Sequence, residues 1–236
     1  MNPLRSWAGH CECYDSSISP DSQPADKCSR LNAFLANSHA VGFFLSKEKL
    51  KAAVCNATFF DRQRPLPCLL NVIYLWGIAL SASPVLSAQE PIFLSRSLSQ
   101  IGIPSQHRDD VLQRVQTHIL LGNYFMRSGH MHEGKSHSNT AIWFAMRNGF
   151  HKPVTTSPSA TPSPGSIDPV DRAAAFWAAY YLDKCWSLLL ALPSACPDQR
   201  NPTDEDRIDV PWPIDVDKPT SVSNFFSSSS THCLVS

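Results

Sequence analysis

The sequence predicts an all-α protein, folded as an irregular bundle of several helices. In the segment Asp109–Arg127, apolar residues recur at steps of three and four, which is the spacing of one face of an α-helix. Sustained alternation of apolar and polar residues, the pattern of a half-buried strand, occurs nowhere in the 236 residues. Two helix boundaries are also marked, because Asp168-Pro169 is a typical start and Asn148-Gly149 a typical end.

The first part of the chain mixes a polar segment with apolar ones. Residues 1–40 are polar and lack a sustained period, so we expect them to be mostly disordered. The stretch 41–54 is short and amphipathic, and we expect five of its apolar residues to share one helical face: Phe43, Phe44, Leu45, Leu50 and Val54. Residues 68–80 are apolar on nearly every side, as a helix buried inside a bundle is. A weaker helical pattern follows at 89–100.

The second half of the chain carries the clearer helical patterns. They cover Asp109–Arg127, 130–148 and Pro169–Leu190. The last two are separated by a Pro/Ser/Thr-rich linker at 153–167, which has too few apolar residues to form a core. Residues 216–236 are Ser-rich and have no structural period, so we predict a disordered tail after a helical domain at 41–215.

Composition excludes several classes of protein. The 20 Lys and Arg balance the 20 Asp and Glu, which argues against an autonomous nucleic-acid binder, because phosphate binding depends on clustered basic residues. The most apolar run, 69–80, is shorter than the roughly 20 residues that cross a bilayer, and the N-terminus lacks the apolar core of a signal peptide. We therefore expect a soluble intracellular protein. Charged residues make up 17%, below the usual ~25%, which suggests apolar surface covered by chain that is absent here.

The motifs of known catalytic and metal sites are not met. His132-Glu133 with His137 resembles a metalloprotease motif, but the spacing of five turns the second imidazole about 140° away from the first on a helix. The cysteines show no Cys-x-x-Cys pair, and there is no Gly-x-Ser-x-Gly elbow or glycine-rich phosphate loop. We expect no enzyme, no catalytic residue, no cofactor and no metal in this chain. A metal-dependent enzyme built on His130, His132 and His137 remains a remote alternative.

Six segments in a fixed order carry a family resemblance over roughly residues 66–215. They are LLNVIYLWGIALS (69–81), EPIFLSRSL (90–98), LLGNYFMRSGHMHEGKSHSNTAI (120–142), NGFHK (148–152), AFWAAYYLDKCWSLLLALPSA (175–195) and IDVPWP (208–213). In this order the chain resembles the regulatory, or middle-homology, domain of fungal transcription factors of the zinc binuclear-cluster class, in the form found in mushroom-type fungi (basidiomycetes).

The resemblance implies an all-helical, non-catalytic module that regulates transcription in the nucleus. It also implies structural roles for the residues that match the family's motifs: Asn71, Trp76, Gly77, Asn123, Tyr124, Gly129, Glu133, Gly134, His151, Trp177, Asp183, Lys184, Trp186 and Trp212. On this reading Glu133 suits the dipole at a helix start and Gly134 admits a second helix at close range. Asp183 is expected to pair with Arg172 or with a neighbouring helix.

The chain also departs from the family. Its residues 1–65 contain neither the six-cysteine zinc cluster nor the coiled coil that usually follows it, and the domain's later helices do not appear. DNA binding and zinc are then implied by kinship alone, through a segment that this chain lacks. The chain would be an incomplete copy of the domain, whether a fragment, a truncated gene product or a genuine short regulator. Expected partners are other transcription proteins, a small effector or a second copy of the chain, with no membrane. The alternative function is a DNA-less helical interaction protein that modulates full-length relatives.

Overall fold

The regular structure is helical throughout the residues that the computed structural model describes, which are 24–55, 64–81, 83–103, 109–153 and 167–212. Within these ranges there are eight α-helices and no strand, so the predicted all-α fold class is confirmed. The helices are α1 (Pro24–Asn37), α2 (Lys47–Cys55), α3 (Pro67–Leu80), α4 (Pro84–Ser87), α5 (Glu90–Ile101), α6 (Asp109–Arg127), α7 (Met131–Arg147) and α8 (Pro169–Leu190).

Helix α6 is central because it contributes to both apolar cores. Leu120, Leu121, Tyr124 and Phe125 pack in a first core with α1, α3 and α5. Leu112, Val115 and Ile119 pack in a second core with α7 and α8. The wide apolar stripe of α6 in the sequence therefore reflects burial on two sides.

Helix α3 is buried along most of its length. Pro67 stands at its first turn, where the missing amide hydrogen costs no intrahelical bond. At Gly77 the carbonyl oxygen of Arg30 approaches so closely that a Cβ would lie 2.2 Å from it. The absence of a side chain at this position lets α1 cross α3 directly, and the prediction of a bundle-interior helix at 68–80 is confirmed.

Two predictions for the first part of the chain are wrong. Residues 24–37 form α1, and residues 38–41 form a 3-10 turn, so the expected disorder of 1–40 does not hold for 24–40. Leu31 and Phe34 are the reason, since they lie one helical turn apart and are 1% and 0% exposed against α3 and its neighbours. Residues 1–23 lie outside the described residues.

The second error concerns the stretch 41–54. Gly42 adopts a left-handed φ of 80° after the 3-10 turn, so the chain changes direction there and α2 begins only at Lys47. Phe43 instead packs edge-on against Phe34, with ring centroids 5.2 Å apart. The five apolar residues of the stretch therefore do not share one helical face. Most of the predicted linker at 153–167 and all of the predicted tail at 216–236 lie outside the described residues, and the domain limits of 41–215 stay a prediction.

Candidate functional site: the buried polar network between α7 and α8

A buried carboxylate, Asp183, lies at the centre of a polar network between α7 and α8. Its side chain has no solvent exposure. Ala179, Leu182 and Trp186 are also buried, so the position belongs to the inward face of α8. An ionised group at such a position must be paired and hydrogen-bonded, because burial of an isolated charge is very costly.

Four donors meet the two oxygens of Asp183. Its Oδ1 accepts from Lys135 Nζ of α7 at 2.9 Å and from the backbone amide of Ala195 at 3.0 Å. Its Oδ2 accepts from the backbone amide of Cys196 at 3.0 Å and from the hydroxyl of Ser194. The carboxylate thus ties the segment 194–196, which follows α8, to both helices.

The environment keeps Asp183 ionised. Burial disfavours the charged form, but hydrogen bonds from Ser194, the two backbone amides and Lys135 together hold the pKa of Asp183 below its usual 3.8. Because the four donors occupy both oxygens, the carboxylate has little capacity left to take a proton from a substrate. The expected ion pair is made with the neighbouring helix and not with Arg172, whose Nη2 donates to the carbonyl of Gly149 at 2.7 Å.

Beside this network, glycine allows α6, α7 and α8 to pack closely. A Cβ on Gly134 would lie 2.4 Å from the Trp186 ring, and one on Gly122 would lie 3.3 Å from Leu182. Trp186 is fully buried, so its ring has no room to move aside. Gly134 therefore allows α7 and α8 to approach each other closely, which is the role that the family motif implies for this glycine.

Other motif residues join α3 and α5 to α6. Trp76 donates its indole N–H to the carbonyl of Leu120 at 3.0 Å and packs edge-on against Tyr124, with centroids 5.9 Å apart. The Tyr124 hydroxyl donates to Glu90 Oε2 at 2.8 Å. Burial, and then this hydrogen bond, raise the pKa of Tyr124 well above its usual value, so the phenol stays protonated.

Two asparagines make comparable contacts. Asn123 Nδ2 donates to the carbonyl of Val41 at 3.0 Å and so fixes the 3-10 turn after α1. Asn71 Nδ2 donates to Gln100 Oε1 at 2.7 Å and joins α3 to α5. Both side chains therefore hydrogen-bond to other elements of the same chain.

A third group holds the segment that ends the described chain. His151 Nε2 hydrogen-bonds with the carbonyl of Glu205 at 2.7 Å. Trp177 donates its indole N–H to the carbonyl of Pro211 at 2.9 Å, and its ring lies 4.5 Å from that of Trp212, centroid to centroid. These contacts hold residues 205–212 against α8 and against the segment that follows α7.

The remaining motif residues lie in more exposed places. Gly129 has a φ of 78° in the turn between α6 and α7, a left-handed conformation that glycine adopts without strain. Glu133 is exposed in the first turn of α7, where a negative charge suits the helix dipole. Lys184 donates to Ser194 Oγ at 2.6 Å and lies 4.9 Å from the centre of the Tyr180 ring.

The three histidines of the metalloprotease-like stretch do not converge. His137 Nδ1 lies 2.9 Å from Nδ1 of His118 on α6, whereas His130 precedes α7 as its N-cap and His132 is exposed. Across the described ranges, no three His, Cys, Asp or Glu side chains are grouped so as to hold a metal. The zinc that the family resemblance implies therefore has no fitting ligand set in this part of the chain.

The family comparison agrees with this all-helical arrangement. The family model described as the fungal specific transcription factor domain matches residues 31–235. The chain belongs to this family. No curated protein and no solved structure matches it. The chain is thus a fungal transcription factor regulatory domain, of a family that is generally non-catalytic.

Sequence reasoning missed several residues on which this fungal transcription factor domain depends. Lys135 and Ser194 complete the Asp183 network, and His118 pairs with His137. Lys135 directly follows Gly134, and Ser138 lies one helical turn later on the same face of α7; two small residues on one face were the signal, because that face packs against α8. His118, within the apolar stripe of α6, was a similar signal.

In the described part of the chain, no helix combines the length and apolarity that a membrane span requires.

Proposed function

We propose that this chain is a non-catalytic, nuclear regulatory module that acts on transcription through protein or small-effector contacts on its helical surface. The observation that carries the proposal is the use of the motif side chains inside the fold. Asp183, Trp76 and Asn123 each bind another element of the chain. These residues hold the scaffold together, so regulation is then left to the exposed surfaces of the helices.

The proposal leaves DNA contact to another polypeptide segment. The chain has zero formal net charge, which gives it no general attraction to phosphates. Zinc belongs, on this proposal, to the separate DNA-binding segment of the family, and the chain itself needs no cofactor. We expect the isolated chain to bind DNA only at the non-specific level in a gel-shift experiment.

A second candidate function is that of a DNA-less interaction protein that modulates full-length relatives. Exposed apolar side chains at the end of α8 favour it: Leu188, Leu189 and Leu192 are 83%, 57% and 45% exposed. Such side chains are typical of surfaces that another protein covers. Co-purification with a full-length relative would distinguish this candidate, because the principal proposal does not require that contact.

The test is to tether the full chain to an unrelated sequence-specific DNA-binding domain upstream of a reporter gene. We expect reporter output to change several-fold, in either direction, relative to the DNA-binding domain alone. Asp183→Ala should abolish the change because it removes the centre of the α7–α8 network. The matched control is Asp204→Ala, which removes a carboxylate that is 91% exposed and should leave the effect intact.

Circular dichroism of the purified chain decides how a silent reporter is to be interpreted. If the wild-type fusion is folded and abundant and the reporter still does not respond, the regulatory proposal is wrong. A hydrolytic or redox activity that copurifies with the folded chain and is lost on mutation of His118 or His137 would also overturn it.

A further inference from the structure

A cleft opens where α1, α2 and α3 meet. It has a volume of about 170 Å³. The three helices and the segment just before α3 all contribute to its walls. The described residues that line it are not those of the polar network between α7 and α8, so the cleft is a separate candidate site. They are Lys27, Ala53, Val54, Arg64, Leu70 and Tyr74.

Two positively charged side chains line the cleft from different parts of the chain. Lys27 belongs to α1, and Arg64 lies just before α3. Both are half-buried, and charges in partly buried surroundings are screened less by salt than charges on the open surface. Among the described residues that line the cleft there is no Asp or Glu. The lining therefore carries two positive charges, although the formal net charge of the whole chain is zero.

Both cations can hold a neighbour in the chain and still donate to a ligand. A lysine ammonium has three N–H donors, and an arginine guanidinium has five. The parallel donors of a guanidinium also match the two oxygens of a carboxylate or a phosphate. The chemistry of Lys27 and Arg64 thus selects an anion with several acceptor oxygens.

The rest of the lining is mostly apolar and firmly held. Leu70 and Tyr74 lie one turn apart on α3 and are 9% and 5% exposed, and Val54 of α2 is half-buried. The Tyr74 ring packs edge-on against Phe93 of α5, with centroids 5.9 Å apart, so this wall exists before any ligand binds. A preformed apolar wall with a few charged groups is typical of small-molecule sites. The volume is below the roughly 300–1,000 Å³ of pockets for drug-sized ligands, so the cleft suits a smaller molecule.

We propose that this cleft binds a small organic anion with a doubly charged head and a compact apolar body. The head, which is either a pair of carboxylates or a phosphate, lies between Lys27 and Arg64. The body packs against Val54, Leu70 and the Tyr74 ring. This inference deepens the proposed function, because it gives a chemical class to the small effector, and it rests on that function for the consequence in regulation.

A ligand in the cleft changes how α1 and α2 are held. The start of α2 is already tied to α1, because Lys47 Nζ donates to the carbonyl of Leu35 at 3.3 Å. The cleft lies at the opposite ends of these helices, where Lys27 is near the start of α1 and Val54 is near the end of α2. A ligand that binds only the folded chain stabilises it by mass action. Binding should therefore raise the melting temperature and slow amide exchange in α1.

The experiment titrates the full chain with two probe anions, phthalate and phenyl phosphate, in an isothermal titration calorimeter. We expect saturable binding at one site per chain, with an affinity that falls as the salt concentration rises. The tighter of the two probes identifies the head group as a dicarboxylate or a phosphate. Benzamide, which has the ring without the charge, should not bind measurably. Inorganic phosphate, which has the charge without the ring, should bind at least about tenfold more weakly than phenyl phosphate.

Four variants locate the binding. Lys27→Met and Arg64→Met each remove one charge and should weaken the binding of both probes at least about tenfold. Ala53→Asp keeps both cations but adds a negative charge to the lining, so it should weaken binding as well. Lys49→Met is the matched control, because Lys49 is an exposed lysine of α2 outside the lining, and it should bind as the wild type does. Circular dichroism verifies that each variant is folded.

Three results would overturn the proposal. The first is that neither anion binds saturably to the folded wild-type chain. The second is that Lys27→Met, Arg64→Met and Ala53→Asp all bind the probes as tightly as the wild type. The third is that benzamide binds as tightly as phthalate. The titration needs no reporter gene, so its failure is distinct from that of the proposed function: a chain that changes reporter output but binds neither anion keeps the function and loses this site.

Discussion

The paired histidines of α6 and α7 should make the stability of the domain depend on pH well above the range in which carboxylates titrate. His118 is buried and His137 is partly buried, and their Nδ1 atoms are 2.9 Å apart. One ring must donate to the other, and when both rings are neutral they are opposite tautomers at these nitrogens. The rings lie among Phe125 and Phe144, which offer no hydrogen bond to a second proton.

The pKa values of both histidines are lowered. Burial, then His137 and Arg114, lower the pKa of His118 to about 3, and burial lowers the pKa of His137 to about 4 against an opposing effect of Glu133. The unfolded chain titrates near 6.5, so it binds protons that the folded chain does not. The contribution of this pair to the free energy of unfolding is therefore fully present above about pH 6.5 and is lost as the pH falls towards 4.

The size of the effect follows from linkage. Between pH 7 and pH 5, each histidine that stays neutral when folded removes up to about 1.9 kcal/mol from the free energy of unfolding. The pair together should remove up to about 3.5 kcal/mol, a large part of the ~5–15 kcal/mol stability typical of a domain. Asp183 does not add to this slope, because its pKa lies below 3.8 and its contribution is lost only at lower pH.

Urea unfolding of the full chain at pH 7, 6 and 5, followed by circular dichroism, measures the slope. The double variant His118→Leu with His137→Leu should be much less sensitive to pH over this range, whatever its stability at pH 7. His132→Leu removes an exposed histidine of α7, and its stability should depend on pH as that of the wild type does. Equal losses in the wild type and the double variant would refute the assignment of the slope to this pair.

Three further substitutions test the packing. Asp183→Ala should lower the free energy of unfolding by about 3–5 kcal/mol, because it leaves Lys135 buried without its counter-charge, and urea titration measures the loss. Gly134→Ala should cost roughly 1–3 kcal/mol, because the new methyl group meets Trp186 at 2.4 Å; Gly102→Ala, with open space around it, should be near neutral in the same assay. Phe34→Ala should cost about 3–5 kcal/mol and expose α1 amides to hydrogen exchange, because its ring is fully buried; an unchanged exchange rate would mean that α1 does not depend on this side chain.

The elements that sequence predicted well are those whose burial pattern is local. The period of apolar residues in α6 and the all-round apolar character of α3 depend only on residues that are close in sequence. Both patterns are therefore visible in the sequence itself. Helix α1 was missed for the opposite reason. Several of its apolar residues are small alanines, and it is held by a short apolar turn containing Leu31 and Phe34, whose partners on α3 lie some 40 residues away.

The same distinction applies to the site. That Asp183 needs a partner follows from its place on a buried helix face, but the choice between Arg172 and Lys135 depends on how α7 and α8 cross. The crossing is set by Gly134 and Trp186, which no local pattern relates. Likewise, His137 lies in a stretch that resembles a metal motif, and its real partner, His118, is a whole helix earlier in the chain.

The distribution of the motif residues bears on where regulation resides. If Asp183, Trp76 and Trp177 were effector ligands, the structure should leave their polar atoms directed at a cavity. Each instead contacts another element of the chain: Asp183 holds 194–196, Trp76 binds α6, and Trp177 binds Pro211. A substitution at these positions should cost most stability, because the cost of a change is concentrated where packing is densest. Contacts with an effector or a partner protein should therefore be sought on the exposed faces of the helices.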